Sequence, residues 1–182
     1  LWTIVIVICL RLLLWVFVNE NENKSTNANL KVGEWSGNGT GFFISKSGCI
    51  VTNFHVIETS NNSYSKDIKV AFCPLDPSQI DNAKIFQAQT IKVDRKRDLA
   101  LLKLNSPVDF SISKIVKLDT DLSSVMIGMD VHAIGHPDGG SYCTYTKGVV
   151  SQFTKNHKWT IDNRDFHADV IQTQTPINPG NS

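Results

Sequence analysis

Three residues in this sequence have the types that nucleophilic attack by a hydroxyl group requires. His55 lies towards the end of the apolar run IVTNFHVI, Asp98 directly precedes the run LALLKL, and Ser182 follows the turn NPGN. Taken singly, each residue is more often structural, because histidines beside strands, aspartates at strand starts and Gly-x-Ser turns are all common. The informative observation is their combination in one chain.

Together, these residue types could activate a serine hydroxyl for acyl transfer. A serine is a weak nucleophile until a neighbouring base accepts its proton. An imidazole, with a reference pKa near ~6.5, can accept and return that proton at neutral pH. A carboxylate then fixes the imidazole tautomer and stabilises the imidazolium. Backbone N–H groups of a Gly-x-Ser turn can bind the developing oxyanion.

The elements that must position these residues are predicted to be short strands separated by turns. Eight runs after residue 30 are rich in Val, Ile, Phe and Thr, which favour strands; they are 39–45, 48–57, 68–73, 85–93, 99–104, 131–137, 145–153 and 167–173. No stretch after residue 30 keeps an apolar helical stripe over three turns. The sequence therefore predicts an all-β chain, barrel or sandwich, with the polar connection 105–124 between two clusters of strands.

Four motifs, in order, resemble the trypsin-like serine proteases of the HtrA (high-temperature-requirement) group. GTGFFISKSGCIVTNFHVI is similar to that group's first hairpin and histidine strand, and DLALLKL to its aspartate motif. VHAIGHPDG is similar to its Ala-Ile-Gly-x-Pro turn, and DVIQTQTPINPGNS to the approach to its nucleophile. The resemblance covers residues 36–182. In that group the last motif continues with Gly-Gly, so the resemblance implies a sequence that stops directly after its nucleophile.

The resemblance implies a role for each residue of the set. His55 would be the general base, Asp98 the carboxylate that orients it, and Ser182 the nucleophile. The backbone N–H groups of Gly180 and Ser182 would form the oxyanion hole. Asp94 is the rival carboxylate, but it lies upstream of the position that the aspartate motif specifies, so we reject it.

The implied fold is the chymotrypsin/trypsin-like pair of antiparallel β-barrels, with the catalytic residues in the cleft between them. Residues 36–118 would form the N-terminal barrel, and residues 119–182 a C-terminal barrel cut before the strands of the S1 wall. The resemblance implies a serine endopeptidase that hydrolyses polypeptides, unfolded or misfolded proteins in particular, although we expect the 182 residues by themselves, without the remaining strands of the second barrel, to be inactive. A catalytically inactive trypsin-fold binding or scaffold protein is the alternative, and the complete triad favours the enzyme.

The first 18 residues, LWTIVIVICLRLLLWVFV, contain only Thr3 and Arg11 as non-apolar residues. A helix of this length, at ~1.5 Å per residue, could just cross a hydrocarbon core, although Arg11 at its centre costs roughly 2.5–3.5 kcal/mol. We expect an N-terminal hydrophobic helix that is a signal anchor or a signal peptide, followed by a polar linker over residues 19–35. The protein would then be exported, either anchored in a membrane and facing the periplasm or extracellular side, or secreted.

Composition argues against several classes of partner. A formal net charge of +1 gives no electrostatic attraction to phosphate, so we expect no nucleic-acid partner. The four cysteines lack zinc-site spacing; Cys49 and Cys73 could form a disulfide in an exported protein, or be buried free thiols. His132 and His136 would need a helix to share one face, and Pro137 disfavours it. We expect no metal and no cofactor, polypeptide substrates as partners, and leave a homo-oligomer open.

Overall fold

The computed structural model describes residues 13–18, 37–59, 63–72, 85–107, 115–118, 122–135, 144–161 and 163–177. These ranges are mostly strands, as the all-β prediction requires. The strands are β1 (Leu13–Val18), β2 (Gly37–Phe43), β3 (Cys49–Asn53), β4 (Ile68–Phe72), β5 (Ile85–Asp94), β6 (Leu99–Leu104), β7 (Asp130–Gly135), β8 (Thr144–Ile161) and β9 (Arg164–Thr173). A short helix, α1 (Phe54–Ile57), follows β3, and a 3₁₀ turn spans Leu122–Ser124.

The first six strands close into an antiparallel barrel in the order β1-β2-β3-β6-β5-β4. Alternation along β6 shows how the sequence specifies it, because Ala100, Leu102 and Leu104 are buried while the residues between them are partly exposed. Ile50 of β3 is the cross-strand partner of Leu102. This register places the buried side chains of β3 and β6 in one core.

The barrel core is packed with aliphatic and aromatic side chains. Its buried members are Phe43, Ile50, Phe54, Val56, Ile57, Ile68, Val70, Phe86, Ala88, Ala100, Leu102 and Leu104. Full burial of one large apolar side chain stabilises the fold by about 1.5–3 kcal/mol. Three of these residues belong to α1, so the same core that stabilises the barrel also fixes the helical turn after β3.

The remaining strands form a three-stranded antiparallel sheet in the order β7-β8-β9. Val131 and Val150 are its most buried apolar residues. The β8–β9 hairpin is much longer than the sequence predicts. The runs expected at 145–153 and 167–173 extend to Ile161 and back to Arg164. Cross-strand pairing and an aromatic stack, with Trp159 and Phe166 rings 5.4 Å apart, hold the extension together, although its sequence lacks an apolar alternation.

The described part of the N-terminal apolar segment is a strand rather than the predicted helix. Leu13–Val18 forms β1, which pairs with both β2 and β4 and so closes the barrel. Closure leaves no exposed row of backbone N–H and C=O groups, and the WVFV run is rich in residues that favour strands. Residues 1–12 and 19–36 lie outside the described residues, so the linker and the rest of the predicted helix do too. Among the described residues, no helix has the length and apolar character needed to cross a membrane.

Candidate active site

His55 lies on α1, the single helical turn directly after β3. The sequence places it on the histidine strand, but that strand ends at Asn53 and the chain then turns. Phe54, Val56 and Ile57 are buried in the barrel core, whereas His55 is exposed. Three apolar anchors therefore fix the turn, and its one polar side chain is left accessible for chemistry.

Asp98 lies in the turn between β5 and β6, in a left-handed backbone conformation with φ of 54°. Few non-glycine residues adopt this conformation, which costs energy that other contacts must offset. The Asp98 carbonyl oxygen accepts a hydrogen bond from the Phe54 N–H at 3.1 Å and another from Asn53 Nδ2 at 3.0 Å. These contacts join the aspartate turn to the segment that carries His55.

The His55 and Asp98 side chains are in direct contact. His55 Nδ1 lies 2.6 Å from Asp98 Oδ2, and the His55 backbone N–H donates to Asp98 Oδ1 at 2.9 Å. An ionised carboxylate only accepts hydrogen bonds, so Nδ1 is the donor of this contact, and in a neutral imidazole Nε2 is then an acceptor. The Asp98 side chain is 13% exposed and the His55 side chain 44%. A shielded carboxylate is thus in contact with an accessible imidazole.

Asn53 is a site residue that the sequence reasoning missed. It is buried, and its Nδ2 donates to Asp98 Oδ2 at 3.2 Å as well as to the Asp98 carbonyl oxygen. Although Asn53 is the N-cap of α1, its side chain makes no capping hydrogen bond; its Nδ2 group donates to Asp98. The signal was a polar residue in an apolar strand, two positions before the histidine.

Asp94, the rival carboxylate, is engaged by a different partner. Arg97 Nη1 lies 2.6 Å from Asp94 Oδ2, and the Arg97 N–H donates to Asp94 Oδ1 at 3.1 Å. Partial burial acts to raise the pKa of Asp94, but the hydrogen bonds and the charge of Arg97 outweigh that effect and lower the pKa overall. Asp94 is therefore an ionised partner of Arg97.

Gly180 and Ser182 lie outside the described residues, but the segment that leads to them is anchored on β8. The Gln174 N–H donates to the Val149 carbonyl oxygen at 3.1 Å, and Thr146 Oγ1 donates to the Pro176 carbonyl oxygen at 2.8 Å. Between these bonds, an added Cβ on Gly148 would lie 2.5 Å from Thr175 N. The chain therefore approaches β8 at Gly148 as closely as a glycine allows.

The other candidate residues have separate surroundings. His132 Nδ1 lies 2.5 Å from Tyr145 Oη and the two rings stack, while His136 lies outside the described residues. Within the described part of the chain, no group of three or more His, Cys, Asp or Glu side chains could hold a metal ion. Cys49 is a free, partly buried thiol, and Cys73, its candidate disulfide partner, is not among the described residues.

Comparison with known proteins finds trypsin-like peptidases. The profile of the trypsin-like peptidase domain family matches residues 39–182. Protease Do-like 1, chloroplastic, of Arabidopsis thaliana is 34% identical over 146 residues, which cover 80% of this chain and 29% of that protein. A probable periplasmic serine endoprotease DegP-like protein of Rickettsia prowazekii is 36% identical over 144 residues, which cover 79% of this chain and 24% of that protein.

A solved structure shows the same fold. The crystal structure of the serine endoprotease from Yersinia pestis matches with a TM-score of 0.61 and 24% sequence identity, over 94% of this chain and 47% of that one. The matched part of this chain covers 29% of the length of the Arabidopsis relative and 24% of the length of the Rickettsia relative.

Proposed function

Because the chain belongs to the trypsin-like peptidase domain family, we propose that it supplies the His-Asp-Ser centre of a serine endoprotease. The family match covers most of the chain, and the Do-like and DegP-like relatives confirm the resemblance to HtrA-type proteases. The trypsin-like fold prediction is confirmed by the barrel, the second sheet and the structural neighbour. The site roles, the substrates and the location of the protein belong to the proposal.

The contact between His55 and Asp98 is the observation that best supports this function. It unites two segments 43 residues apart in sequence and leaves His55 Nε2 as the acceptor that a general base needs. In the proposed mechanism, Nε2 takes the proton of Ser182 Oγ as that oxygen attacks the carbonyl carbon of a peptide bond. Asp98 stabilises the imidazolium, which then gives its proton to the leaving amine. In the second half of the reaction, His55 takes a proton from water as the water oxygen attacks the acyl carbon. The imidazolium then returns a proton to Ser182 Oγ, which leaves as the free hydroxyl group.

The oxyanion of the tetrahedral intermediate is assigned to the backbone N–H groups of Gly180 and Ser182. Such donors, fixed before the reaction, stabilise charge as it develops. The anchoring of residues 174–176 on β8 supports this assignment, because a nucleophile loop must be held in one conformation to aim both groups.

Unfolded or misfolded polypeptides are the proposed substrates. The names of the relatives place those proteins in the periplasm or the chloroplast, and we propose that this protein is exported too. Membrane anchoring through the N-terminal segment stays a prediction, and assembly into a homo-oligomer stays open.

The test is hydrolysis of casein by the full-length protein and its Ser182→Ala variant. Loss of the nucleophile in such a triad lowers kcat by about 10⁶-fold, so the variant should be inactive. Ser106→Ala is the matched control, because Ser106 is exposed in the connection after β6 and should keep full activity. A fluorophosphonate probe should label the wild type at Ser182 only.

Two results would contradict the proposal. Undiminished hydrolysis by Ser182→Ala would show that another residue is the nucleophile. A wild-type protein that neither cleaves casein nor reacts with the probe would favour the inactive scaffold instead.

A further inference from the structure

The far end of the β8–β9 hairpin contacts the first barrel at two points. The His167 backbone N–H donates to the Lys96 carbonyl oxygen at 3.0 Å. At the start of β9, Arg164 Nη1 forms an ion pair and a hydrogen bond with Glu58 Oε2. Both contacts lie beside the proposed catalytic pair in sequence, since Lys96 precedes Asp98 by two positions and Glu58 follows His55 by three.

The Glu58 carboxylate lies in a shielded environment, in which an unpaired negative charge would be unfavourable. It is the C-cap of α1, its side chain is only 11% exposed, and its Oε1 is buried without a hydrogen-bond partner among the described residues. Removal of a carboxylate from water is unfavourable unless a cation compensates for it. Arg164 provides that compensation, so the ion pair fixes the residue that ends the His55 turn.

The Arg164–Glu58 pair differs from the exposed ion pairs of this chain. Lys147 and Asp130, for example, have side chains that are 50% and 58% exposed, and pairs of that kind contribute little because water screens them. In the Arg164–Glu58 pair the carboxylate is shielded from water. Loss of Arg164 should therefore change the local structure around Glu58. The carboxylate would turn towards water, and the end of α1 would move with it.

The second contact fixes the hairpin against the aspartate turn. The Lys96 carbonyl oxygen belongs to the turn in which the Asp98 N–H bonds back to the Arg95 carbonyl oxygen at 3.4 Å. The donor is the backbone N–H of His167. This contact therefore fixes the position of β9 relative to the turn, and it does not depend on the side chain at position 167. One hairpin end thus touches the two segments whose relative position defines the His55–Asp98 contact.

We propose that the end of the β8–β9 hairpin positions the catalytic pair, with Arg164 and Glu58 as the positioning residues. The proposal rests on the proposed function for its catalytic consequence. Loss of the ion pair loosens the His55 turn without removing any catalytic group. It should therefore lower kcat and leave KM nearly unchanged, because a displaced base slows proton transfer more than it weakens substrate binding.

The experiment is a charge-swap cycle in the full-length protein. Arg164→Glu and Glu58→Arg should each lower kcat on a peptide substrate by about 10- to 100-fold, the range expected for a displacement of about 1 Å. The double variant restores an ion pair of reversed sense and should recover most of the loss, which measures the coupling of the two residues. Arg164→Lys should keep more activity than Arg164→Gln. Lys147→Glu, which breaks an exposed pair, is the matched control and should be unaffected.

Amide hydrogen exchange gives a readout that needs no activity. Protection of residues 54–59 and 95–98 should fall in Arg164→Gln, a neutral variant chosen in case the charge reversal prevents folding, and should recover in the double swap. Single variants with wild-type kcat and wild-type protection would overturn the proposal. A double swap whose loss equals the two single losses combined would also overturn it. If the wild type fails the casein and probe tests, the catalytic consequence falls with the proposed function, while exchange still reports whether the contact orders the His55 turn.

Discussion

At the scale of residues, Asp98 is distinguished from Asp94 by the donors that surround it. Three donors converge on the Asp98 carboxylate, namely the His55 ring, the His55 backbone and Asn53. The Asp94 carboxylate accepts two hydrogen bonds from Arg97, and both side chains of this pair are at least one-third exposed. Of these two carboxylates, Asp98 is the one in contact with the His55 ring.

Asp98→Asn should therefore lower kcat by about 10⁴-fold at neutral pH and keep the fold, because an amide donor opposite Nδ1 favours the wrong imidazole tautomer. Asp94→Asn is the control and should change kcat far less. Steady-state kinetics on a peptide substrate, with circular dichroism to check folding, measure both. The reverse ranking would reassign the orienting carboxylate.

The sequence predicted that His55 and Asp98 lie together, and their side chains are in contact, but it did not predict the contact of Asn53 with Asp98. His55 and Asp98 both lie in recognisable sequence motifs. The position of the aspartate motif was also the reason to predict Asp98, and not Asp94, as the partner of His55. Asn53 donates hydrogen bonds to a residue 45 positions later in the chain. That partner is set by the antiparallel register in which Asn53 of β3 faces Leu99 of β6, and register cannot be read from either strand alone.

At the scale of elements, prediction succeeded where apolar residues alternate and was wrong where pairing or a turn decides. The run predicted at 99–104 is β6 without change, because its alternation specifies one buried face. The run at 48–57 divides into β3 and α1, since Phe54, Val56 and Ile57 can all be buried only if the chain turns. The β8–β9 extension has no such alternation, and its cross-strand partners define it.

Gly148 on β8 gives a test of how one element positions the approach to the proposed nucleophile. A Cβ there would lie 2.5 Å from Thr175 N and 2.6 Å from Thr175 Cα. Because these are backbone atoms, no rotamer change relieves the overlap, and residues 174–176 must shift. Gly148→Ala should lower the free energy of unfolding by about 1–3 kcal/mol and kcat by about 10- to 100-fold.

Urea unfolding and peptide hydrolysis measure the two effects of Gly148→Ala. Gly128→Ala is the contrasting control, since Gly128 has a φ of 87° but no atom within 4 Å of an added Cβ. That variant should lose stability through backbone strain and keep its kcat. Equal kcat for the two variants would show that the close approach at Gly148 does not position the nucleophile loop.

At the scale of the whole molecule, the N-terminal apolar segment has two incompatible uses. Hydropathy favours a membrane or signal helix over residues 1–18, whereas β1 occupies Leu13–Val18 between β2 and β4. Hydropathy could not distinguish them, because a run of Trp, Val and Phe suits a lipid environment and a strand equally well. What favours the strand is the rest of the barrel, because β2 and β4 each present an edge with which a sixth strand can pair.

Removal of residues 1–30 should therefore destabilise the first barrel, whereas a chain that begins at residue 12 should keep its stability. Without β1, the backbone groups that pair Val16 with Gly39 and Val70 lose their partners, together with those of the flanking pairs. Each lost hydrogen bond costs about 0.5–1.5 kcal/mol, so the total loss should be several times that value. Hydrogen exchange should show reduced protection in β2 and β4, while β5 and β6, which keep both neighbours, change least. Equal urea midpoints and equal protection for the two chains would show that the barrel is stable without β1, and the segment would then be free to function as a signal or an anchor.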